Sequence, residues 1–140
     1  MKAPIDELPP RRGRHRFANV LFVPLASRGS VAALRRVAAL ARRDEAELTV
    51  VGVIPEPSHL QRLLHSTDHV DAVLTAAHRD MHRRLARCVG AVDGLSATPI
   101  IDVGDPALTV VMRSIAAEHD LLVVTSNGGH DDRATIRRLI

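Results

Sequence analysis

A chain of 140 residues, 46% hydrophobic and 25% charged, suffices for one domain with a real core, and no apolar run in it reaches the length of a membrane span. Its only cysteine, Cys88, excludes an internal disulfide framework and fits a reducing compartment, so a cytoplasmic protein without membrane insertion is expected. The formal net charge of +3 belongs wholly to residues 1–16, where Lys2 and four arginines outnumber Asp6 and Glu7; the balanced remainder argues against a basic binding face.

Residues 1–16 hold Pro4, Pro9 and Pro10 ahead of Arg11-Arg12-Gly13-Arg14-His15-Arg16 and show no period, which predicts a disordered basic arm. The arm lacks the apolar stretch of a signal peptide. Association with nucleic acid is the alternative use for it, but no aromatic residues interleave the charges for base stacking, and none is expected. A domain is expected over residues 17–140.

Asn19 to Leu25 reads as a first strand. Ser27-Arg28-Gly29-Ser30 supplies turn and N-cap chemistry for a helix through about Arg43. Val31, Leu34, Val37, Ala38 and Ala41 form its apolar stripe, with Arg35, Arg36, Arg42 and Arg43 off it on a solvated face. Glu47 to Ile54 is a second, fully buried strand ended by Pro55-Glu56-Pro57, so the first three elements make a βαβ unit.

Ser58 to about Val92 is helical with a break near Ser66-Thr67-Asp68. Leu63, Val70, Leu74, Ala77, Met81, Leu85, Cys88 and Val92 share one broad face. Cys88 is therefore expected to be a buried, inert thiol. His65 with His69, and His78 with His82, are i, i+4 pairs that could share a metal. Thirteen residues along one straight helix turn the two pairs about 140° apart, and no third ligand stands near, so no metal site is expected.

Ala97 to Val103 predicts a third strand. Gly104-Asp105-Pro106 then starts a helix, with Asp105 as cap and Pro106 in the first turn. Leu108, Val111, Met112 and Ile115 give it an apolar face, and it ends near Glu118-His119. Leu121 to Thr125 is a strand buried on both faces that opens into Ser126-Asn127-Gly128-Gly129, and a ligand site belongs at such a strand end. Asp131 to Ile140 begins another helix. The expected fold is α/β, an open, doubly wound, mostly parallel sheet with helices on both faces. The last strand would lie near an unpaired apolar edge, to be completed by a downstream segment or a partner chain.

These residues resemble the universal stress protein family from Asn19 onward. VLFVPLASRGSVAALRRVAALARRDEAELTVVGVIPEP is similar to that family's opening strand, helix and second strand, and DVGDPALTVVMRSIAAEHDLLVVTSNGG to its later helix start and phosphate loop. The resemblance implies a Rossmann-like sheet of order 3-2-1-4-5, with the fifth strand missing from this chain. It also implies ATP as the candidate cofactor, since one group of members binds it through G-x2-G-x9-G-(S/T), with an aspartate closing V-P-x-D on the first strand. The implied cofactor-binding residues are Pro24, Leu25 and Ala26 after the first strand, Val53 near the end of the second, and Thr125, Ser126, Asn127, Gly128 and Gly129 after the fourth.

Three positions depart from that pattern. Val23-Pro24-Leu25-Ala26 lacks the carboxylate, Thr125 stands at the first glycine's place, and the last glycine and hydroxyl fall on Arg138 and Leu139. Each lost group weakens a charged ligand by on the order of 1–3 kcal/mol, so the residues establish no cofactor. No activated nucleophile is evident, and turn and cap roles account for Asp102 and Asp105, so an enzyme is not expected. The expected function is a stress-response domain acting through a homodimer or a second domain of the same kind, with a degenerate nucleotide site. The alternative is an ATP-binding regulator in which Arg133, Arg137 or Arg138 contacts phosphate.

Overall fold

Valines and leucines without polar alternation form strands that must be covered on both sides, and that requirement organises the fold. The computed structural model describes residues 16–25, 29–95, 97, 99–126 and 129–140. In chain order it comprises β1 (Asn19–Pro24), α1 (Ser30–Asp44), β2 (Glu47–Ile54), α2 (His59–Leu64), α3 (Thr67–Gly90), β3 (Ile100–Val103), α4 (Pro106–Ala116), β4 (Leu121–Thr125) and α5 (His130–Leu139). The described strands form one sheet of order β3-β2-β1-β4, parallel throughout.

Strand β1 is central, pairing Val20 with Leu48 on one side and Val20 with Leu121 on the other. Its side chains alternate between two cores. Val20 and Phe22 meet Leu34, Val37 and Ala38 of α1 and Leu85, Cys88 and Val89 of α3. Leu21 and Val23 join Val51, Val53 and Val110 of α4, with Leu139 of α5 packed against them. Helices thus cover both faces, as expected of a doubly wound sheet. Strand β4 is one of the two edges of the sheet formed by the described residues, and each of its residues is only half-buried.

The close approach of α3 depends on Gly52. A Cβ there would lie 2.6 Å from the Met81 sulfur and 2.9 Å from a Leu85 methyl. Cys88 is buried beside Leu85, and desolvation pushes its thiol pKa up, which keeps it unreactive.

Several expectations need correction. The cap of α1, within the expected stretch Ser27–Ser30, is Gly29, in the left-handed conformation at φ 76° and without a side-chain bond. Ser27 and Arg28 lie outside the described residues. The third strand is shorter than Ala97–Val103 and begins at Ile100, just after Pro99, which has no N–H for a ladder. The helical break, by contrast, falls beside Ser66 as expected: His65 is extended at φ −123°, and Ser66 caps α3 by accepting from the His69 N–H at 3.3 Å. Leu63, on the far side of that break, is exposed rather than part of the α3 stripe.

The largest correction concerns α4. It buries Ala107 and Val110, whereas Leu108, Met112 and Ile115 face solvent and Val111 is half-buried. The helix is apolar on two arcs about 140° apart, and periodicity alone does not say which one meets the sheet.

Candidate functional site

The chain changes faces between β1 and β4. These neighbours pair Pro24 with Thr125 at their carboxyl ends. Beyond that pair the chain passes to α1 against one core and to α5 against the other. Helices α1 and α5 thus pack on opposite faces of the sheet, and open α/β sheets bind ligands at the strand ends where this change of face occurs.

Backbone joins those ends: the Leu25 N–H donates to the Thr125 carbonyl at 3.0 Å, extending the strand pairing to the edge of the site. Pro24 is buried and Leu25 half-buried. On the α1 side, the hydroxyls of Ser30 and Thr125 share a hydrogen bond of 2.9 Å, with Ser30 only 4% exposed. This bond joins residues 95 apart and fastens the first turn of α1 to the end of β4.

On the other side, the Ser126 hydroxyl donates to Asp132 at 3.1 Å, and the Gly129 carbonyl accepts the Arg133 N–H at 3.0 Å as α5 begins. Gly129 and Ser126 are exposed. Ala26, Asn127 and Gly128 lie outside the described residues. The structure thus places Pro24, Leu25, Thr125 and Ser126 together at the carboxyl ends of β1 and β4, with Gly129 at the start of α5. Val53 sits one residue short of the end of β2, with its side chain in the core beside Val110.

Two of the charges on α5, Asp132 and Arg138, have side-chain partners near these strand ends. Arg138 reaches across to Asp105 at 2.6 Å and so ties α5 to the start of α4. Asp105 also caps α4 by accepting the Leu108 N–H at 2.9 Å. That backbone bond first, and Arg138 second, hold its carboxyl below the usual range. Asp102 instead receives both arms of Arg113, at 2.5 and 2.7 Å, so the two aspartates do not form an acid–base pair. Next to these strand ends, Pro24, Ser30, Val31 and Met81 line a cavity of about 220 Å³ with Arg84 and Arg87 at its margin.

The histidines are placed elsewhere. The rings of His65 and His69 lie 4.7 Å apart, while His78 and His82 line an open groove with Val103. Among the described residues no three His, Cys, Asp or Glu side chains group as metal ligands, and no helix is long and apolar enough to cross a membrane. Sequence reasoning missed the Ser30–Thr125 bond and the Asp102–Arg113 pair, since neither leaves a local spacing to read. The cap role of Asp105 was legible from Asp-Pro at a helix start.

A doubly wound sheet with its change of face between β1 and β4 can be compared with known proteins. The chain belongs to the universal stress protein family, whose sequence model matches residues 17–140. The fold resembles universal stress protein UspA from Lactobacillus plantarum at 21% identity, covering 88% of this chain and 92% of that one, with a TM-score of 0.59. It is similar to hypothetical protein MJ0577 at 17% identity, covering 87% of each chain, with a TM-score of 0.61. A universal stress protein in complex with cAMP aligns at 17% identity over 88% of each chain, with a TM-score of 0.53. No curated protein matches the chain.

Proposed function

We propose that this domain acts in the stress response by associating with a second domain of its own kind, in the first instance another copy, and that its nucleotide site is degenerate. The observation that carries this reading is the Ser30–Thr125 hydrogen bond. Where the ATP-binding pattern places a glycine with open backbone, a β-branched side chain stands bonded to the neighbouring helix. Ala26 offers no carboxylate for a nucleoside, and Arg138, a candidate phosphate contact, is held by Asp105. The domain is non-catalytic and cytoplasmic in this reading. Sedimentation equilibrium of the chain, with and without millimolar Mg-ATP, tests it. Self-association independent of nucleotide is the expected result, and a monomer at every concentration would overturn it.

The second reading is a nucleotide-responsive regulator with an altered loop. The cAMP complex of a structural neighbour favours it, as does Gly129, whose exposed backbone opens α5. Association that appears only with bound nucleotide would establish this reading in place of the first.

A further inference from the structure

We propose that His65 and His69 chelate one divalent cation of the zinc, nickel or copper class, and that the ion bridges α2 to α3. On one continuous helix these residues would form an ordinary i, i+4 pair, as His78 and His82 do within α3. The break places them otherwise. His65 is the extended C-cap of α2, and His69 lies in the first turn of α3. Their rings stand with centroids 4.7 Å apart and planes tilted by 34°. Among the described residues no other histidine pair stands ring to ring.

That separation suits a shared metal. Metal–nitrogen bonds of about 2.0–2.1 Å put each ring centroid about 3.2 Å from the ion. Centroids 4.7 Å apart then subtend about 95° at the metal, between the square-planar and tetrahedral angles. Both side chains are exposed, so rotation about χ1 and χ2 can turn a nitrogen of each ring toward one ion without repacking the core. Both rings line a cavity of about 380 Å³ together with Glu56 and Gln61, which has room for the waters that complete the coordination shell. Arg62, the cation of α2, stands 3.7 Å from the Glu56 carboxylate. Imidazole ligands select zinc, nickel and copper over magnesium and calcium, which take oxygen. Helix α2 leaves Leu60, Leu63 and Leu64 exposed and so has little packing of its own. An ion shared by His65 and His69 fixes its C-terminal end to α3.

Calorimetric titration of the full chain with Zn²⁺, and separately with Ni²⁺, tests the site. His65→Ala and His69→Ala each leave a single imidazole, and the lost chelation should weaken binding by roughly 100-fold. Both positions are exposed, so circular-dichroism melting of the metal-free variants should match the parent chain. His78→Ala combined with His82→Ala should leave the affinity unchanged. Hydrogen exchange reads the bridge itself: the amides of α2 should exchange more slowly with Zn²⁺ in the parent chain, and at the metal-free rate in His69→Ala. A parent chain that binds neither ion overturns the proposal, as does equal affinity in parent and His69→Ala. A loss confined to the His78/His82 variant, or exchange in α2 that ignores the bound ion, overturns it equally.

Discussion

Thr125 serves the fold through its backbone and its side chain at once. Its backbone keeps the β1–β4 register, while its hydroxyl engages Ser30 of α1. Thr125→Gly should remove that bond, costing about 1 kcal/mol by thermal denaturation. It should also raise affinity for Mg-ATP, further in combination with Ala26→Asp, as read by calorimetry. An unchanged affinity in the double variant would place the defect elsewhere. Gly52 is constrained differently. Gly52→Ala must displace Met81 and Leu85, so denaturant unfolding should show a loss of roughly 1–2 kcal/mol; a neutral result would mean that α3 shifts freely on the sheet. Both glycine-loop residues and cap residues were legible as types in the sequence. The partner of Thr125, 95 residues away, was not, because side-chain pairing at that distance follows from topology rather than spacing.

At the scale of elements, the sequence was most informative where caps and periodicity agreed. The break in the long helical segment coincides with Ser66, whose side chain caps α3, while a Ser58 capping box with Gln61 starts α2 ahead of it. Less legible was which face each helix buries. Leu63 fits the stripe of α3 on a helical wheel, yet the break swings it into solvent. Leu63→Ser should therefore change stability by under about 0.5 kcal/mol, whereas Leu85→Ala, in the core between α3 and the sheet, should cost about 2–5 kcal/mol. Equal costs in chemical denaturation would contradict the observed break. Helix α4 failed the same kind of reading for a related reason. A helix apolar on two arcs satisfies the sheet with either one, and here the smaller pair, Ala107 and Val110, lies against it.

Over the whole molecule, the parallel sheet and its two covered faces were legible because buried strands alternating with amphipathic helices admit few arrangements, whereas the order of strands was implied by the family resemblance. What the sequence left unread is how carboxylates pin the strand entrances. Asp120 accepts the N–H groups of Ala18 at 2.7 Å and Asn19 at 3.0 Å, tying β4 to the start of β1. Asp44 accepts from Arg43 at 2.9 Å and from the Phe17 N–H at 3.2 Å. These bonds hold both carboxyls below their ordinary values: for Asp120 the Ala18 bond is the main cause, for Asp44 the Arg43 bond. A carboxyl lowered in the folded state takes up its proton first in the unfolded one. The stability it contributes is complete above about pH 4 and drains away as pH falls through the folded value. Asp120→Asn should accordingly lower Tm at neutral pH and flatten its acid decline; a parallel decline in parent and variant would remove Asp120 from that role.

The function proposed above requires a universal stress protein domain whose nucleotide site is degenerate. Calorimetric titration of the full chain with Mg-ATP tests it most directly. The departures at Ala26 and Thr125 predict no measurable heat at millimolar nucleotide. Saturable binding in the micromolar range would contradict the account and make the site a working switch.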